Sequence, residues 1–294
     1  MKTSATNDII KRQNEGKFIL LLKAMRVAYS QSKLFQIIDF ITILIAIALP
    51  LAKIFGSFWI NWFDVGAFIF LILYLITEKL RSSKAKLGAK IQEEFDVELF
   101  HIDWNDELCG EKAANEDKLK LSKKYKKKDL ENWYSIEIKN LLPNNIAVLL
   151  CQRINLSWEI SLKERFCKFL IIFLVIYYLA FIGYFVYINI NIKEAILLLI
   201  PSAPFLAYVF FNYSNISEQI KSKKETRTSI DSDWENYVNN REQIPETQKL
   251  RRYQNKIFTN RSKPERIPDW YYNSKRKKDE LTTDELIKYM LQEL

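Results

Sequence analysis

Four long apolar runs, residues 35–55, 60–76, 169–190 and 195–213, form two tight pairs separated and flanked by polar sequence. Each approaches the roughly 20 residues that a helix needs to cross a hydrocarbon layer of about 30 Å. Inside that layer every backbone N–H and C=O has to be satisfied within the segment itself, so runs of this length fold as helices. The expected fold is therefore a mainly α membrane protein with four transmembrane helices arranged as two hairpins.

The polar remainder sets the expected organisation: a cytosolic amphipathic helix over 1–34, a first hairpin over 35–76 and a cytosolic segment over 77–168. A second hairpin over 169–213 and a cytosolic C-terminal segment over 214–294 complete it. The three polar segments hold nearly all of the 44 Lys and Arg, which by the positive-inside rule directs both termini to the cytoplasm. Together they are long enough to fold as one composite, mostly helical domain with at most a little extended structure. About 30 polar or amphipathic residues precede the first run, so that run reads as an uncleaved anchor and not as a signal peptide. Net charge is +9, and Lys79, Arg81, Lys84, Lys86 and Lys90, with Lys163, Arg165 and Lys168, crowd beside the spans as anchors to anionic lipid. No nucleic-acid module accompanies this charge, so no DNA or RNA polymer is an expected partner. Cys109, Cys151 and Cys167 are odd in number and scattered, and read as free thiols.

Local patterns fill in the polar segments. Ile10, Phe18, Leu21, Leu22, Met25 and Tyr29 recur at three- and four-residue spacing, which predicts a helix over 7–33. Strict alternation over 95–104 predicts a half-buried extended segment after a helix over 83–94. Further helices are expected over 116–128, 129–138, 147–166, 214–240 and 283–294, with a breaker at Leu142-Pro143-Asn144-Asn145 and a capping signal at Thr282-Thr283-Asp284-Glu285.

Three residues inside the spans are candidates for gating or lining a pore. Asp39 lies about one turn inside the first, where a carboxylate is costly unless it reaches the interface or a cation such as Lys33. Pro201 and Pro204 remove backbone donors from the fourth and predict a kink where Ser202 can resatisfy a carbonyl. A static packing bend is the plainer reading of the same residues.

Signatures of catalysis are missing from the sequence. His101 is the sole histidine, no thiols or His–carboxylate cluster stand at metal-ligand spacing, and the six glycines form no phosphate loop. Neither an enzyme, a metal centre nor a cofactor is expected. Glu93, Glu94, Asp96, Glu98, Asp103 and Asp106 read as an acidic solvated face. What remains is the combination of aromatics such as Trp104, Trp133 and Trp270 with Arg26, Arg153, Arg251, Arg252, Arg261 and Arg266. Bases stack on aromatic faces and phosphates favour guanidinium groups, so a nucleotide-sized anion is a reasonable ligand class, although core packing accounts for any single aromatic.

Ile10-Lys11-Arg12-Gln13-Asn14 and Ala24-Met25-Arg26-Val27-Ala28-Tyr29-Ser30-Gln31-Ser32-Lys33, just before the first span, resemble the opening of the SMODS-associated four-transmembrane family. Ile91-Gln92-Glu93-Glu94-Phe95-Asp96, then Leu99-Phe100 and Asp103-Trp104-Asn105, resemble the segment that family carries after its second span. Ile267-Pro268-Asp269-Trp270-Tyr271-Tyr272 is similar to its C-terminal region. The resemblance covers essentially the whole chain and implies a pore-forming effector of bacterial anti-phage defence in the inner membrane. It further implies an associated nucleotidyltransferase that makes a cyclic oligonucleotide on infection, to which the effector responds by damaging the membrane. Arg26, Trp104 and Trp270 are the candidate ligand-binding residues, from their place in these motifs and their chemistry. Few polar residues line the spans, so permeabilisation requires a homo-oligomer or a disrupted bilayer. A membrane-anchored scaffold or receptor for a cytosolic partner is the alternative, and a small-solute transporter the third.

Overall fold

The computed structural model describes residues 8–55, 60–127, 130–134, 138, 142–157, 160–263, 267, 271, 285–286 and 288–294, with the side chains of 55, 60–64 and 157 excepted. In chain order the helices are α1 (Ile9–Arg12), α2 (Gly16–Phe55), α3 (Ile60–Phe100), α4 (Asp106–Cys109), α5 (Asn115–Lys123) and α6 (Asn144–Ser157). They continue with α7 (Ile160–Tyr187), α8 (Ile192–Leu199), a 3-10 turn at Ile200–Ser202, α9 (Ala203–Asn239) and α10 (Thr247–Ser262). Residues 285–286 and 288–292 are also helical. No strand occurs among the described residues.

At 1.5 Å per residue α2 and α3 are each about 60 Å long, roughly twice the depth of a hydrocarbon layer. Their side chains divide accordingly. Leu34, Ile37, Ile38 and Ile41 of α2 and Phe68, Ile69, Leu75 and Ile76 of α3 are exposed, whereas Phe18, Leu22 and Met25 of α2 and Phe95 of α3 are buried. Ile172, Ile176, Leu179 and Ile182 extend the exposed apolar surface on α7, and Phe210 and Phe211 on α9. An aqueous monomer rarely exposes contiguous apolar surface on this scale, and lipid covers it without penalty. Three stretches among the described residues, Gly16–Ile54, Asn144–Tyr187 and Ile192–Asn239, are long and apolar enough to cross a membrane.

Two large buried clusters among the described residues hold the helices together. In the apolar half, Ile43 and Ala46 of α2, Tyr74 of α3, Phe166 and Leu170 of α7, and Phe205, Tyr208 and Val209 of α9 pack into one core. In the polar body a larger core takes Phe18, Leu22 and Met25 from α2, Ile91, Phe95 and Leu99 from α3, and 146–151 from α6. Ile230 and Trp234 of α9 and Leu250 and Ile257 of α10 complete it, so the chain's beginning, middle and end meet there.

The fourth apolar run is interrupted where the prolines stand. α8 ends at Leu199, Pro201 lies in the 3-10 turn, and Pro204 occupies the first turn of α9, where a missing N–H costs nothing. Ser202 Oγ donates to the Leu199 carbonyl at 2.7 Å and lies 2.9 Å from the Tyr178 hydroxyl, which resatisfies part of the broken ladder.

Other expectations give way. Residues 95–100 are helical, because α3 runs unbroken to Phe100. Ile91 to Val97 are all buried, so this stretch packs on every side and its sequence need not show a helical period. Residues 130–134 lie outside any helix, and the helix expected over 116–128 ends at Lys123. The acidic run is a solvated face only in its second half: Asp103 and Asp106 are exposed and Glu98 is half-buried, whereas Glu93 and Asp96 are fully buried and Glu94 nearly so. Thr282, Thr283 and Asp284 of the capping signal lie outside the described residues.

Candidate functional site

The site is built where α3 stops. Ile102 N–H reaches back to the Val97 carbonyl at 2.9 Å, closing the helix with a left-handed residue in the position that glycine usually takes. Here that residue is His101, at φ 57°. Arg12, at the end of α1, covers the freed carbonyls: Nη2 donates to Glu98 O at 3.0 Å and Nη1 to Leu99 O at 3.3 Å. A cation over the negative end of a long helix is favourably placed. The same guanidinium touches His101 Nε2 and is 3.5 Å from Asp8. Both of its terminal nitrogens are engaged, and it serves as a fixed wall.

Beside this cap lies an open groove of about 450 Å³ lined by Arg12, Lys17, Val97, Glu98, His101, Ile102, Asp103, Trp104 and Lys112. The Trp104 indole N–H donates to Gly110 O at 3.0 Å, which fixes the ring. Gly110 follows α4 at φ 66° and ψ −168°, backbone angles open only to glycine. Lys112 Nζ lies 5.5 Å from the Trp104 ring centroid and 3.1 Å from Glu98 Oε1, while Lys17 pairs with Glu98 Oε2. Burial raises the Glu98 carboxyl, but hydrogen bonds from Lys17 and Lys112 outweigh it and hold the group below the usual carboxylate range. The groove thus offers cations and an indole within reach of one another, the chemistry that suits an anion carrying a flat ring.

Behind the groove, α3 is tied to α10 by a buried ionic network. Arg251 pairs with Glu93 at 2.5 Å and Arg261 with Asp96 at 2.5 Å, while Gln254 donates to both carboxylates at 2.8 and 3.1 Å. The Tyr134 hydroxyl donates to Asp96 at 2.6 Å, and Lys118 holds Glu94 at 2.7 Å. Burial pushes Glu93 up, Arg251 pulls it back only in part, and neighbouring Asp96 adds to the rise. The Cys109 thiol is likewise pushed up to about 12 by burial, and all three cysteines are buried and free.

Of the candidate ligand residues, Trp104 lines the groove. Arg26 is exposed on α2, its guanidinium 4.9 Å from the Trp133 ring centroid, and is not among the lining residues. Trp270 lies outside the described residues. Of the candidate gating residues, Pro201 lies in the turn between α8 and α9 and Pro204 in the first turn of α9. Asp39 is buried, accepts from Thr77 and lies 3.5 Å from Arg81 of α3, which is itself buried, so Arg81 is an internal partner and not a lipid anchor. Sequence reasoning missed Arg12, Lys17, His101 and Lys112 as a group. They come from segments some 90 residues apart and share no local pattern; the alternation that disguised the end of α3 hid the cap that gathers them.

Long helices with exposed apolar flanks, carrying a folded polar body with a cationic groove, define an α-helical membrane protein. Residues 7–290 match the SMODS-associating 4TM effector domain, and the chain belongs to that family. It is 34% identical over 287 residues to a Bacillus cereus (strain VD146) protein named as a probable CBASS effector molecule, covering 92% of this chain and 94% of that one. No solved structure matches it.

Proposed function

We propose that this protein is a CBASS effector that permeabilises the bacterial inner membrane when its polar body, on the cytoplasmic side, binds a signal. The signal in this reading is a cyclic oligonucleotide made by an associated nucleotidyltransferase, and the active form is a homo-oligomer. Family membership and the naming of the Bacillus cereus relative support the effector role. The observation that carries the mechanism is continuity: α2 and α3 pass without a break from exposed apolar flanks into the polar core, and both border the groove. A ligand that prefers one arrangement of these ends biases the whole helix pair, whereas equal affinity for both arrangements would shift nothing. Arg26, Trp104 and Trp270 are the proposed ligand contacts, and Asp39, Pro201 and Pro204 the proposed moving parts within the membrane. The effect on the membrane is physical and not catalytic.

Purified protein in dye-loaded liposomes tests this. Release on adding cyclic di-AMP, cyclic di-GMP, cyclic GMP–AMP or cyclic tri-AMP, and none without a nucleotide, is the expected outcome. Silence with all four would favour a membrane-anchored scaffold instead.

A further inference from the structure

We infer that the groove at the end of α3 is the ligand site of this effector and that, when empty, it is filled by its own side chains: Glu98 stands where a ligand phosphate sits, and Lys112 where its base stacks. The inference rests on the effector reading and locates the signal within it. Glu98 is held by the two cations, Lys17 and Lys112, that would otherwise face an incoming anion. Lys112 lies over the Trp104 indole in the groove wall, so the ring face is occupied by the same side chain that holds the carboxylate. Both contacts are easily broken. The Lys17 and Lys112 side chains are 63% and 41% exposed, and ion pairs so placed contribute little.

What cannot leave is the frame. Arg12 is pinned to backbone carbonyls, His101 holds the left-handed cap, and Trp104 is tied to Gly110. A phosphate displaces the Glu98 carboxylate from Lys17 and Lys112, and a base displaces the Lys112 ammonium from Trp104. The ligand class is therefore one that joins phosphate to a purine-sized ring, and neither half alone opens both contacts. A lipid headgroup is the wrong source. From Thr77, at the end of the second apolar run, to His101 the helical rise is about 36 Å, which takes the groove far beyond the headgroup layer.

The test is calorimetric binding of the same four cyclic nucleotides, with adenosine and pyrophosphate as half-ligands that should bind far more weakly, to full-length protein in phosphatidylcholine nanodiscs. Glu98→Gln should bind the preferred cyclic nucleotide about tenfold more tightly, because a competing like charge has gone. Lys17→Ala and Trp104→Leu should each bind about tenfold more weakly, with Trp104→Phe recovering part of the loss. Melting curves like that of the wild type establish that each variant is folded. Unchanged affinity in Glu98→Gln together with Lys17→Ala overturns the inference, and nucleotide-triggered dye release in the wild type would then keep the effector reading with the site elsewhere. Binding of none of the four by wild type or Glu98→Gln also overturns it. So does competition by phosphatidylglycerol in the nanodisc, which would assign the groove to lipid.

Discussion

Gly110 shows how a single backbone position can govern a binding surface. Its angles lie in a region that costs a side-chain-bearing residue about 1–3 kcal/mol, and a Cβ there would sit 3.4 Å from Lys90 Nζ. Its carbonyl is the acceptor that orients Trp104. Gly110→Ala should lower the melting temperature modestly and weaken nucleotide binding by more than that loss of stability explains, as thermal melts and calorimetry on one sample would separate. At this scale the sequence was partly legible. Trp104 stands out because it lies in a family-like motif and an aromatic face invites a stacking base. Lys17 and Lys112 did not, because a lysine in a charged run looks the same whether it faces water or a groove. The need of Asp39 for a cation is legible in the sequence, but Arg81, which comes from the adjacent helix, is not, because no local pattern links the two.

Among the elements, α3 carries most of the consequences. It enters the polar body straight from the apolar flank and ends in the cap that shapes the groove. Ser83 is exposed on the stretch between these two regions. A proline there removes the hydrogen bond to residue 79 and kinks the helix, at a cost of about 3 kcal/mol or more. Ser83→Pro should keep nucleotide binding while losing dye release; loss of neither would mean that α3 does not transmit the signal. The apolar runs announced a helical membrane protein because lipid imposes a length and a composition that few other environments require. The inner half of α3 escaped detection for the opposite reason. With protein on every side, Glu93, Glu94 and Asp96 are satisfied by Arg251, Lys118 and Arg261 from distant segments, and the helical period that solvent would have imposed disappears.

Across the whole molecule, the polar body stands or falls with its last described long helix. α10 supplies Arg251, Gln254 and Arg261, all partners of carboxylates that α3 buries completely. Removing one member of such a buried pair costs about 3–5 kcal/mol, because the other charge stays stranded. Arg261→Ala should therefore destabilise the protein severely, while Asp96→Asn with Arg261→Met should recover much of the loss, read as melting temperature in detergent. That interdependence was invisible in the sequence, since no local signal links residue 96 to residue 261. The length of α2 and α3 adds a mechanical corollary. Each acts as a stiff lever of about 60 Å, and turning such a lever by one degree carries its far tip about 1 Å. Displacing a lysine from an indole at one end can thus be felt, enlarged, as a change of spacing at the other.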